Sequence, residues 1–115
     1  MNTAKYRYPA EKLTAARGIL MAPHPQGEAK RFSRAFLECD LGLRDMSVDD
    51  LDDSARSWVQ TIKQTMDTAG IEDPNGCDKW FVKAKQLSIE EKYSYSSAVD
   101  ELAEWFQEKF AGKIN

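Results

Sequence analysis

Histidine, cysteine and long apolar runs are all scarce in this 115-residue chain, and each scarcity excludes something. His24 is the one histidine and sits between Pro23 and Pro25. A nucleophile–histidine–acid relay would have to use it, and no Gly-x-Ser-x-Gly elbow supports such a relay. It reads as a loop histidine, exposed or capping. A histidine-rich metal site is excluded by count, and the Cys39, Cys77 and His24 spacing matches no zinc pattern. The two cysteines form no Cys-x-x-Cys pair and no disulfide framework, so both are expected to be reduced, packed thiols. No glycine pattern of the phosphate-binding kinds occurs, which argues against the common ATP and NAD enzymes. No cofactor is expected.

The longest apolar cluster, Gly18 to Ala22, is far short of the roughly 20 residues of a membrane span. The first eight residues carry no apolar signal-peptide core. The expectation is an unexported, cytoplasmic protein with no membrane partner. Stretches alternating apolar and polar residues over strand length are also missing, as are internal repeats and low-complexity linkers.

What remains is helical spacing. The pattern predicts an all-α domain of about five helices spanning residues 1–115, with residues 1–8 as an N-terminal arm. The first helix is expected from near Pro9, since proline suits a first turn, and must stop before Pro23. The second covers about Glu28 to Leu41. There Phe32, Ala35, Phe36, Cys39 and Leu43 share one side at 100° per residue, Leu37 and Leu41 lie roughly opposite, and Gly42 is a C-terminal cap candidate. The third starts at Ser47, an N-cap hydroxyl, and places Val48, Leu51, Ala55, Trp58, Val59, Ile62, Met66 and Ala69 on one apolar arc. Gly70 ends it. Asp73-Pro74-Asn75-Gly76 is a turn. A short fourth helix near Asp78 to Leu87 is apolar on several sides, so deep burial is expected. The fifth begins at Ser88, where Glu91 completes a capping box, and ends at Gly112. Its stripe of Tyr95, Ala98, Val99, Leu102, Ala103, Trp105, Phe106 and Phe110 is wide enough for two neighbours. Glu90, Asp100, Glu101, Glu104 and Glu108 gather on the opposite side.

Charge is unevenly spread behind a net of −3. Residues 1–34 carry seven Lys/Arg and two Glu, whereas residues 35–78 carry three Lys/Arg and eleven Asp/Glu. Such a split can serve a charged partner or pair the two halves of one fold, and both segments are short enough to favour pairing. Within the acidic run, Asp45, Asp49, Asp50, Asp52 and Asp53 suit the positive end of a helix dipole. A divalent cation held by those carboxylates, and with it a small metal-dependent enzyme, is the competing reading.

These features favour a non-catalytic protein that works by association with a protein partner or with itself. Leu37, Leu41, Tyr93 and Trp105 are the candidate partner contacts. The alternative is a nucleic-acid accessory factor using the basic N-terminal third. Lys5, Arg7, Lys30, Arg31 and Arg34 would then meet phosphates, and Tyr6 and Tyr8 would stack on bases. The Pro-rich connector is a poor helix-turn-helix turn, and a pI near 5.2 argues against that reading.

Overall fold

The computed structural model of the chain describes residues 4–72 and 78–111. Its regular elements are helical throughout those residues, an all-α bundle of five helices as the spacing predicts. We label them α1 (Arg7–Met21), α2 (Glu28–Leu43), α3 (Asp53–Met66), α4 (Lys79–Lys85) and α5 (Ile89–Ala111). Short 3₁₀ turns occupy Ala4–Tyr6 and Val48–Asp50. The Asp73–Gly76 turn, Cys77 and Gly112 lie outside the described residues.

One contiguous core joins the elements. α1 lies against both α2 and α5, α3 packs on α5, and α4 packs on α2. At the centre, Tyr95 of α5 meets three residues of α2. Its ring stands edge-on to Phe36 at 5.0 Å and tilted to Phe32 at 5.9 Å, and its hydroxyl is 3.3 Å from Cys39 Sγ. All four residues are buried. The wide apolar stripe of α5 is thereby used against three neighbours of its own chain, since α1 and α3 take its flanks.

Several boundaries follow local chemistry as expected. Ala22, held by Pro23, is extended (φ −119°, ψ 143°) and ends α1. Ser88 Oγ accepts the Glu91 amide at 3.1 Å, and Glu91 Oε1 accepts the Ser88 amide at 2.8 Å, closing the capping box of α5. Gly70 does take a positive φ of 79°, but in the turn four residues past Met66, so it does not end α3.

Four expectations need correction. Gly42 is not a cap: α2 continues through it, and a Cβ there would stand 2.7 Å from Lys12 Cβ and 3.0 Å from Leu13 Cδ2. The glycine lets α1 and α2 approach closely. The third helix does not start at Ser47. Ser47 caps only the 3₁₀ turn, Leu51 is extended and buried, and Asp52 then caps α3 by accepting the Ala55 amide at 2.9 Å. Val48 is left exposed. At its other end α3 stops at Met66, because the Asp67 carboxylate accepts the Ala69 amide and diverts the chain. Finally, α4 is not deeply buried, and Trp58 on the apolar arc of α3 is covered only in part. Trp58, Trp80, Phe81 and Val82 are half-buried, with Ala84 and Leu87 as the fully buried anchors. A seven-residue helix lying on one neighbour has no second layer to cover it.

Candidate interaction surfaces

Most of the basic N-terminal third is neutralised inside the fold. Lys5 pairs with Asp50 at 2.6 Å, which holds its ammonium pKa above the usual value, and the Tyr6 hydroxyl donates to the Asp50 carbonyl at 3.0 Å. Tyr6 also stands edge-on to Trp105 at 5.8 Å. Arg7 pairs with Glu11 on its own helix, and Lys12 meets Glu38 of α2 at 3.3 Å. Arg17 lies between Asp100 and Glu104 of α5 at 3.6 and 3.7 Å. Arg31 donates to the Leu20 carbonyl at 3.0 Å, closing the Pro-rich connector, and pairs with Glu28. Glu28 in turn binds Lys92, which draws its carboxyl pKa below the ordinary value. Of the five candidate phosphate contacts, Lys5, Arg7 and Arg31 are therefore engaged by carboxylates, and among the described residues Lys30 and Arg34 are not.

Lys30 and Arg34 belong to one line on α2. Lys30, Arg34, Leu37 and Leu41 follow the i, i+4, i+7, i+11 spacing of a single helical face. That face points away from Phe32, Phe36 and Cys39, and so away from the core. Leu37 is 46% exposed and Leu41 half-buried. α4 extends the face sideways. Its Phe81 ring lies under two ammonium groups, Lys30 Nζ at 5.7 Å and Lys85 Nζ at 4.8 Å from the centroid. Among the described residues no carboxylate stands within ion-pair distance of Lys30, Arg34 or Lys85. Asp78 borders the hollow of about 330 Å³ beside Lys30 and Phe81, and its carboxylate caps α4 through the Trp80 amide. The result is an apolar strip flanked by three uncompensated cations.

The other two candidate contacts separate. Trp105 is drawn into the fold: its Nε1 donates to Asp52 Oδ2 at 3.0 Å, and its ring meets Tyr6 and Phe106. The Ala55 amide first, and then that bond, favour the charged form of Asp52, whose pKa falls below the ordinary carboxylate value. Tyr93, by contrast, is 75% exposed on the outward face of α5, one turn from Ile89 at 82%. The antiparallel register set by Arg17–Asp100 and Thr14–Gln107 carries Met21, 79% exposed, toward the same end.

The acidic run supplies helix starts. Asp50 meets Lys5, Asp52 caps α3, and Asp53 pairs with Arg56 at 3.8 Å. Among the described residues no three His, Cys, Asp or Glu side chains come together in a metal-holding group. His24 Nδ1 accepts the Gln26 amide at 3.0 Å, a local turn contact. Cys39 is a free, buried thiol whose pKa is pushed up to about 12 by burial, so it stays protonated and unreactive. A groove of about 780 Å³ runs beside α3, lined by Leu51, Val59, Met66 and Trp80. Its acids are engaged too, Asp67 by the Ala69 amide and Asp40 by Arg44. No described helix is long and apolar enough to cross a membrane. Comparison with known proteins finds no matching family, no matching characterised protein and no matching solved structure.

Proposed function

We propose that this chain is a non-catalytic helical protein that acts by associating with another protein surface, in a cytoplasmic setting, through the outward face of α2 and the adjoining side of α4. The observation carrying this reading is the alignment of Leu37 and Leu41 with Lys30 and Arg34, beside Phe81 and Lys85, where three cations lack carboxylate partners among the described residues. Exposed aliphatic and aromatic carbon supplies the area-dependent attraction, and the uncompensated cations select a partner of negative potential. An apolar strip of this kind favours a protein over nucleic acid. A phosphate-binding track needs several free cations in sequence, and Lys5, Arg7 and Arg31 are already paired.

The test is site-specific photo-cross-linking in the native host. A photoreactive side chain at position 37 is expected to give discrete protein adducts that vanish with Arg34→Glu. The same group at Ser57, exposed on α3, serves as the control. Adducts to nucleic acid, or identical products from both positions, would refute the reading.

A further inference from the structure

The partner of the α2–α4 face can be given a chemistry, because the chain itself carries a matching surface. On α5, Ile89, Tyr93, Ser97, Asp100 and Glu104 run along the outward side, and Glu90, Glu101 and Glu108 lie beside them. This arc holds five carboxylates and no Lys or Arg. Arg17 reaches Asp100 and Glu104 from its rim, whereas Glu90, Glu101 and Glu108 have no cation within ion-pair distance among the described residues. At one end of the arc stand Ile89, Tyr93 and Met21, the three most exposed large apolar side chains of the described residues.

The two surfaces look in opposite directions. Tyr95 points from α5 to α2, and the acidic arc lies on the far side of α5 from Tyr95. The Lys30–Leu41 line likewise lies on the far side of α2 from Phe36 and Cys39, which touch Tyr95. An interface joining one surface to the other is therefore heterologous, and repeating it builds an open row rather than a closed pair.

We infer that the occupant of the α2–α4 face is a second copy of this chain, docking through the acidic, apolar-ended outward face of its α5. The inference rests on the association reading above and names the partner. Lys30, Arg34 and Lys85 meet Glu101, Glu108 and their neighbours, while Leu37, Leu41 and Phe81 cover Tyr93 and Ile89. The α5 surface is one helix wide, so the contact is weak, with growth expected between about 10 μM and 1 mM and reversal by salt.

Two variants test it, each altering exposed side chains on one face: Arg34→Gln with Leu37→Ser, and Tyr93→Ser with Glu101→Gln. Circular dichroism and a thermal melt confirm that each folds. By sedimentation, the unaltered chain is expected to rise above monomer mass with concentration and to fall back in 0.5 M salt, where the Debye length is roughly half its value at ~0.15 M. Each variant alone stays monomeric. An equimolar mixture forms a one-to-one dimer and goes no further, because each variant retains the face its companion lacks. An unaltered chain that remains monomeric throughout, or a mixture that remains monomeric while the unaltered chain associates, would overturn the inference. Monomeric behaviour combined with position-37 cross-links to a different protein would defeat self-docking and leave the association reading standing.

Discussion

Asp52 offers the sharpest test of how the bundle is tied together. One carboxylate does two jobs: Oδ1 accepts the Ala55 amide at 2.9 Å and caps α3, while Oδ2 accepts the Trp105 indole N–H at 3.0 Å and fastens that end of α3 to α5. Replacing an N-cap acid by alanine costs about 0.5–2 kcal/mol, and a lost side-chain hydrogen bond about 0.5–1.5 kcal/mol. The site is open to water, so the lower half of each range applies. Asp52→Ala is then expected to lower unfolding stability by about 1–2 kcal/mol. Asp52→Asn, which keeps an oxygen for the cap, should lose less than half of that. Urea unfolding followed by tryptophan emission measures both. The carboxyl also has a pKa lowered by folding, with the Ala55 amide as the largest cause. Its charge-dependent contribution is therefore complete above the unfolded value of 3.8 and disappears as pH falls from there through the lower folded value. Asp52→Asn should flatten that acid limb. Equal stabilities for the three proteins, or an unchanged acid limb in the asparagine variant, would refute the double role.

Other expectations follow from the same geometry. Gly42→Ala gains about 1 kcal/mol of helix propensity but drives a methyl group into Lys12 Cβ, so a net loss of roughly 1–2 kcal/mol is expected by chemical denaturation. Ile62→Ala, fully buried, should cost about 2–5 kcal/mol, and Trp58→Ala, half-buried, should cost less than a core aromatic. In a Cys77→Ser background, Cys39 should resist thiol reagents until the protein unfolds, and labelling of the native state at neutral pH would contradict its burial. Lys30→Glu with Arg34→Glu should change thermal stability by less than about 0.5 kcal/mol, since neither side chain holds an ion pair among the described residues.

The helical class and the core residues of α2 and α5 were legible because apolar spacing survives without knowledge of neighbours. The capping box at Ser88 was legible for the same reason: all its atoms are local. The start of α3 was not. Ser47 and Asp52 are both competent caps, and the choice turns on burial of Leu51 and on an indole nitrogen 53 residues away. Gly42 was misread because a glycine at a helix end and a glycine at a helix crossing look alike until α1 is placed beside it. The exposed position of Leu37 could be read from its angle on the helix. That Lys30 and Lys85 would share the Phe81 ring could not, since it depends on where α4 docks. Charge composition indicated two opposed segments, but only the folded chain separates cations with internal partners from those left free.

The most direct test of the association account is nuclear magnetic resonance of the labelled chain over a dilution series. The expected result is concentration-dependent shifts confined to residues 30–44 and 81–85 on one side and 89–108 on the other, appearing together and fading with salt. Spectra that stay constant at every concentration, or shifts centred on the groove beside α3, would contradict it.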